Sequence, residues 1–207
     1  MATYGDMIDR IESDLGRSDL TTAVKEAIQT AIRYYERERF YFNEQTSTFT
    51  TSSSQEFYGS ASSSFISRLV NIDSIVVDVN TSTYPIIERD FQYIDQVQTN
   101  AGYTGDPTDF VYWNNQIRLY PIPYTARTVN VSGVYKLSTL TATASTNAWF
   151  TEGEALIRCR AKYELYHHRV QKPEKAVEMR KAELDALSSL RGETTAKVSG
   201  KLRPTSF

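Results

Sequence analysis

Two strand-like runs separated by a pair of asparagines lie near the middle of the chain, FVYWNNQIRLYP at residues 110–121. β-branched and aromatic residues fill both runs, which is typical of strands. Two asparagines between such runs suit the tight turn of a hairpin, because Asn tolerates the left-handed backbone of that turn. Pro121 and Pro123 cannot donate to a ladder and end the second run. The stretch therefore predicts an antiparallel β-hairpin.

Further strand patterns surround this hairpin. Strands are predicted at residues 72–79, 84–88 and 128–137, and a short helix is predicted at residues 90–98. Of the 19 residues from Thr46 to Ser64, 12 are Ser or Thr, which indicates an edge strand or a loop rather than a helix. Together these patterns predict an antiparallel, half-solvated β region of about four to six strands.

Helical periodicity flanks the β region on both sides. Apolar residues recur every three or four positions from Tyr4 to Leu15 and again from Ala23 to Tyr35. The same spacing predicts two C-terminal helices, the second beginning near Pro173. Inward positions are predicted at Leu156, Cys159, Tyr163, Tyr166 and Val170 in the first of these helices and at Val177, Leu184, Leu187 and Leu190 in the second.

These patterns predict an α+β fold: a four-helix bundle from the N- and C-terminal helices, with an inserted antiparallel β region and a flexible C-terminal arm. The predicted boundaries are residues 1–44 for the N-terminal helices, 45–150 for the β region, 151–190 for the C-terminal helices and 191–207 for the arm. The arm is predicted because residues 191–207 lack periodicity and carry four basic groups to one acidic group.

The composition excludes several classes of protein. The chain has 207 residues but only one Cys and two His, too few for a disulfide framework or a thiolate-rich zinc site. No apolar run is long enough to span a bilayer, and the first residues lack the pattern of a signal peptide. We therefore expect a soluble, unexported protein with no metal, no cofactor and no membrane partner.

The charges are divided unevenly along the chain. There are 23 Lys plus Arg against 25 Asp plus Glu, yet residues 152–207 carry 12 basic and 8 acidic groups. The C-terminal quarter is therefore net positive and the remainder net negative. Such a division would let the C-terminal part dock on an acidic surface of another copy or of a partner. Equally, it could reflect only the Lys and Arg that helices usually carry.

No residue pattern in the chain supports catalysis. His167 and His168 are adjacent on a predicted helix, so their side chains diverge and cannot chelate one ion. The carboxylate pairs Glu152/Glu154 and Asp106/Asp109 have a spacing that any acidic protein provides. Neither a phosphate-binding Gly-rich loop nor a Gly-x-Ser-x-Gly motif is present. An enzyme is therefore not expected.

The aromatic residues point instead to contacts with other proteins. The chain has 14 Tyr, 9 Phe and 2 Trp, and Tyr, Trp and Arg are favoured at the centres of protein interfaces. Candidate subunit-interface residues are Tyr34, Tyr35, Arg37, Arg39, Tyr41, Tyr112, Trp113 and Tyr120. A half-solvated sheet also contains many Tyr residues, so each of these residues could equally be an ordinary part of the sheet rather than of an interface.

The order of these elements resembles that of the head-to-tail adaptor proteins of tailed bacteriophages, also called connector or head-completion proteins. The likeness rests on RYYERERFYFNE at residues 33–44, GDPTDFVYWNNQIRLYPIP at 105–123 and NAWF at 147–150. The resemblance implies a structural protein of the virion neck, made in the host cytoplasm, that forms a ring of commonly twelve copies. Such a ring docks beneath the portal protein, joins it to a tail or nozzle protein and lets double-stranded DNA pass without sequence-specific binding.

The resemblance also implies that the C-terminal segment reaches the portal. By position, the candidate portal-binding residues are Arg191, Lys197, Lys201, Leu202, Arg203 and Phe207. We expect the cations to meet acidic portal groups and the channel lining to be acidic or neutral.

Two other hypotheses stay open at this point. The first is a carbohydrate- or receptor-binding β module on a helical stalk of a phage tail, with the 46–64 stretch, Tyr112 and Trp113 as its face. The second is a cell-wall enzyme that would use Glu152 or Glu154.

Overall fold

A computed structural model describes residues 2–98, 103–138, 140 and 142–198. The helices over these residues are α1 (Tyr4–Leu15), α2 (Thr21–Tyr35), α3 (Phe91–Val97), α4 (Ala148–Thr151), α5 (Glu154–His168) and α6 (Pro173–Val198). The strands are β1 (Glu44–Thr50), β2 (Phe57–Tyr58), β3 (Leu69–Val79), β4 (Ser82–Glu88), β5 (Thr104–Gly105), β6 (Asp109–Trp113), β7 (Gln116–Tyr120), β8 (Ile122–Pro123) and β9 (Thr128–Tyr135). The chain divides into two compact units: a β unit, Glu44–Lys136, and a helical unit built from the residues on either side of it.

The first helix begins and ends where its sequence indicates. The Asp6 backbone N–H donates to the Thr3 hydroxyl, and the Thr3 N–H donates to the Asp6 carboxylate, which together form a capping box. Gly16 follows the last turn with a left-handed φ of 63° and ends the helix. The apolar face of α1 lies in the core of the helical unit.

The predicted four-helix bundle is wrong. In the helical unit α5 packs along both α2 and α6, whereas α1 makes only shorter contacts with α2 and α5. The short α4 contributes Trp149 and Phe150 to the core, where Phe40 also lies. The fold is α+β, but the helices do not form the predicted bundle, because α5 lies between α2 and α6 and the aromatic rings of Phe40, Trp149 and Phe150 share the core with the helix faces.

The inward faces of α5 and α6 differ from the predicted ones. α5 buries Leu156, Ile157, Ala161 and Leu165, whereas Cys159, Tyr163, Tyr166 and Val170 are only half-buried. α6 buries Ala176, Glu183, Leu187, Leu190 and Thr194, whereas Val177 and Leu184 are exposed. A buried Glu occupies a position that apolar periodicity alone would give to a hydrophobic residue, which shifts the predicted face of α6.

The arm does not begin at Arg191, because α6 continues to Val198. Thr194 is buried, its hydroxyl donates to the Leu190 carbonyl, and the Tyr41 N–H donates to the Thr194 hydroxyl at 3.3 Å. Tertiary contacts therefore keep this aperiodic segment helical. The rest of the predicted arm, including Lys201, Leu202, Arg203 and Phe207, lies outside the described residues.

The β unit contains a seven-stranded sheet in the order β1-β9-β3-β4-β6-β7-β2 and a small pair, β5-β8. Strands β6 and β7 form the predicted hairpin, with Trp113 paired to Gln116 across the turn. The sheet is not purely antiparallel as predicted, because β4 pairs with β6 in parallel and β5 with β8 in parallel. The parallel β4–β6 pair is allowed by the long connection through α3, whose Ile94 is buried.

Candidate interaction surfaces

The turn of the β6–β7 hairpin presents an exposed tryptophan. Asn114 and Asn115 have φ angles of 50° and 58°, the left-handed pair that a two-residue hairpin turn needs. The Trp113 side chain is 63% exposed, and its ring centroid lies 5.7 Å from that of Phe91 at the start of α3. An exposed Trp beside a second ring offers a large apolar area with one polar N–H, which is the chemistry of an interface anchor.

A buried arginine lies under the aromatic rings beside Trp113. The Arg118 guanidinium carbon lies 4.8 Å from the ring centre of Phe91 and 5.3 Å from that of Phe57. Only 8% of the Arg118 side chain is exposed. The guanidinium of Arg118 therefore makes a cation–π contact with each of these two rings, which helps to hold them in place.

Two carboxylates neutralise this buried cation. Arg118 donates to Glu56 and to Asp95, and its Nη2 also donates to Gln98 Oε1 at 3.0 Å. Burial by itself lowers the pKa of the guanidinium, but the hydrogen bonds to Asp95 and Glu56 outweigh burial and raise that pKa. Arg118 therefore stays charged and ties α3 and the segment before β2 to strand β7. The sequence analysis missed its role because an Arg inside a strand usually faces solvent.

Carboxylates lie at the entry to α3. Glu88, Arg89, Asp90 and Tyr93 line one open depression. Arg89 donates to Asp109 at 2.7 Å and lies 4.9 Å from the Tyr93 ring centre, whereas Glu88 and Asp90 are exposed and have no ion pair with a described residue. We call the surface around α3 the α3 patch: Phe57, Phe91, Tyr93, Val97 and Trp113 with the carboxylates Glu88, Asp90 and Asp95. It combines exposed rings with negative charge.

The helical unit buries a carboxylate instead of a guanidinium. Glu183 on α6 is fully buried and accepts a hydrogen bond from the Tyr35 hydroxyl. Its Oε1 also lies 2.6 Å from Arg180 and 3.5 Å from Arg160, while its Oε2 has no hydrogen-bond partner among the described residues. Burial, and after it the hydrogen bond to Glu183, raise the pKa of Tyr35. This cluster ties α6 to α2 and α5.

Next to the buried Glu183 carboxylate, arginine side chains contact aromatic rings. The Arg160 guanidinium lies 4.1 Å from the Tyr34 ring centre and 5.2 Å from that of Tyr163. Tyr34 is 56% exposed, whereas Arg160 is largely covered and also pairs with Glu164 at 2.6 Å. The charges of this cluster are balanced, so it is not an anion-binding site.

Several predicted interface residues make their contacts with other residues of the same chain. Tyr35 is buried and its hydroxyl donates to Glu183, whereas Tyr112 is half-buried, packs against the sheet core and directs its hydroxyl at the Ile66 and Leu69 carbonyls. The Tyr41 hydroxyl donates to Glu152, and the Lys197 amine lies 3.4 Å from the Tyr41 ring centre.

The remaining predicted interface residues differ in exposure. Tyr34, Arg37 and Trp113 are exposed, whereas Arg39 and Tyr120 are half-buried. The Tyr120 ring lies 6.0 Å from that of Tyr103. Of the eight, Trp113 is the exposed ring that lies in the α3 patch.

The described residues contain neither a group of three or more His, Cys, Asp or Glu side chains placed to hold a metal ion nor a helix long and apolar enough to cross a membrane. His167 and His168 are both exposed at the end of α5.

The sequence from residue 2 to residue 205 matches the family model described as SU10 adaptor protein. The chain belongs to this family of phage head-to-tail adaptors. The match covers nearly the whole chain and confirms the resemblance that the motifs indicated. The adaptor is therefore a structural component of the virion neck, and its family is not a family of enzymes. Curated proteins gave no match to the sequence.

Proposed function

We propose that the adaptor forms a closed ring, with the twelve copies that the family resemblance implies, between the portal and a tail or nozzle protein. The α3 patch carries this proposal, because a single chain leaves Trp113 63% exposed and the rings of Phe57 and Tyr93 exposed beside it on the same surface. A ring needs two different complementary surfaces on each copy. The α3 patch is one such surface.

The portal contact is proposed to come from the last residues of the chain. Arg191 donates to Glu38 at 2.5 Å, and Lys197 pairs with Glu193 at 2.8 Å. Exposed pairs of this kind contribute little, so Arg191 and Lys197 stay among the residues that we propose to contact the portal. The other proposed residues are Lys201, Leu202, Arg203 and Phe207.

The channel is proposed to conduct double-stranded DNA without gripping it. The chain has a formal net charge of −2, which gives little general attraction for phosphates. An acidic or neutral lining would let the duplex slide.

Electron microscopy and mass photometry of the full chain, alone and with the portal, test the ring. We expect rings from the wild type and at least about a tenfold weaker assembly for Trp113→Ala, because anchors of this kind dominate interfaces. Tyr103→Ala is the matched control, since Tyr103 is 57% exposed in the same unit but lies outside the α3 patch. A wild type that stays monomeric under both conditions would contradict the ring.

Deletion of residues 199–207 tests the portal contact separately. This deletion leaves α6 intact, unlike one that begins at Arg191. We expect rings that no longer bind the portal. Unchanged portal binding would contradict the proposed contact and leave the ring standing.

The glycan-binding alternative places the 46–64 stretch, Tyr112 and Trp113 on one exposed face. The inward placement of Tyr112 leaves a single ring of that pair exposed, so no observation favours this alternative.

A further inference from the structure

The turn between α5 and α6 presents a second distinctive surface. Arg169, Lys172 and Lys175 are all exposed there, and Gln171 takes a left-handed φ of 54° that turns the chain. Arg169 and Lys175 have only exposed partners, Glu26 at 3.4 Å and Glu178 at 3.0 Å, and Lys172 has no ion pair with a described residue. Exposed pairs of this kind contribute little and exchange easily.

Apolar side chains accompany these cations. Pro173 is exposed in the first turn of α6, and Val177, one turn later on the same side, is 70% exposed. We call this surface the basic tip: Arg169, Lys172, Pro173, Lys175 and Val177. Val177 was predicted to lie inward, and its exposure is unexplained within one chain.

The basic tip and the α3 patch are complementary in two respects. The tip carries three exposed cations among the exposed carboxylates Glu174 and Glu178, beside small apolar side chains. The patch carries the exposed carboxylates Glu88 and Asp90 on either side of Arg89, beside broad aromatic faces. Opposite electrostatic potentials on two protein surfaces steer their association and fix their register. Apolar side chains that pack on aromatic rings add buried apolar area to the contact.

We propose that the basic tip of one copy docks on the α3 patch of the next copy. Lys172 faces Glu88 and Asp90, and Pro173 and Val177 pack on the rings around Trp113. The two surfaces differ, so the contact is heterologous and propagates from copy to copy until it closes. This inference rests on the proposed ring and names both halves of its subunit contact.

Charge reversal in the full chain tests the pairing. Lys172→Glu and Glu88→Lys each place like charges together, and we expect each to weaken assembly about tenfold in mass photometry at moderate salt. The double variant restores the opposite pair and is expected to recover most of the loss. All the changed residues are exposed, so folding should be retained, which circular dichroism checks.

Asp185→Lys is the matched control, because it makes the same charge change at an exposed position of α6 beyond the tip. Equal weakening by this control would overturn the specific contact. Rings that both charge-reversal variants form as readily as the wild type would overturn the inference, while the proposed ring itself would stand. A Glu88→Lys variant that assembles normally but loses the portal or tail partner would also overturn the inference. A wild type that never forms rings overturns the proposed function itself.

Discussion

The β unit buries a cation and the helical unit buries an anion, and each is neutralised by two groups of opposite charge. Arg118 pairs with Glu56 and Asp95, and Glu183 pairs with Arg160 and Arg180. The two clusters differ in the part of the structure that surrounds the buried charge. Arg118 lies directly under surface rings, whereas Glu183 is enclosed between helices.

This difference indicates two separate tasks. The Arg118 cluster holds exposed aromatic side chains in place, so it arranges a surface. The Glu183 cluster joins three helices, so it fixes how α6 lies on α2 and α5. A buried ionic cluster of either kind is strongly destabilising when one member is removed, because the other charges lose their partner.

The largest effect is expected for Arg118→Ala. Loss of the guanidinium leaves Glu56 and Asp95 facing each other and removes the support of Phe57 and Phe91. We expect the free energy of unfolding to fall by about 4 kcal/mol in urea titrations. Arg17→Ala is the control, since the Arg17 side chain is 46% exposed and its ion-pair partner Asp19 is 61% exposed, and this change should leave the free energy of unfolding nearly unchanged. Similar losses in the two variants would show that the Arg118 cluster has no special role.

Glu183→Gln is expected to cost somewhat less, about 3 kcal/mol, because the amide keeps the size and one acceptor but leaves Arg160 and Arg180 without their shared anion. Glu178→Gln on the outer face of the same helix is the matched control, as its side chain is 60% exposed. The measurement is again urea unfolding. A loss no larger than that of the control would refute the importance of the Glu183 cluster.

The hydroxyls of two buried tyrosines give a finer comparison. The Tyr35 hydroxyl donates to the Glu183 carboxylate, and the Tyr135 hydroxyl donates to the Val131 carbonyl at 2.7 Å. Hydrogen bonds to charged groups are stronger, so Tyr35→Phe should cost about 2 kcal/mol and Tyr135→Phe about 1 kcal/mol. The reverse order in thermal or urea unfolding would contradict this assignment.

The smallest effect is expected in the alkaline range. Burial raises the pKa of Tyr35 and of Tyr135 above the ordinary value, which for Tyr is about 10. The folded chain then holds protons that the unfolded chain has released. These two groups therefore leave the free energy of unfolding unchanged below about pH 10 and lower it as pH rises beyond that value. Urea titrations from neutral to alkaline pH should show this slope, and Tyr135→Phe should flatten it. An unchanged slope in Tyr135→Phe would exclude its contribution.

Local patterns predicted the elements that depend on neighbouring residues. The asparagine pair gave the β6–β7 turn, and the spacing of apolar residues together with Gly16 gave α1.

The errors concern residues whose surroundings come from distant parts of the chain. Val177 and Leu184 fit an apolar stripe, but Glu183 takes the inward position because Arg160 and Arg180 neutralise its charge and the Tyr35 hydroxyl donates a hydrogen bond to it. The sequence did not distinguish Tyr112 from Trp113 as the exposed ring. Side chains of adjacent residues on a strand point to opposite faces, so only one of the two can face outward.

The sequence by itself determined the α+β class, the hairpin, the ends of α1 and membership of the adaptor family, because these depend on short-range spacing and on motif order. Only the tertiary structure decided that α6 runs through Arg191 to Val198 and that Arg118 and Glu183 are buried. A charged side chain enters a core when partners from elsewhere in the chain replace its water, and those partners become neighbours only in the folded protein.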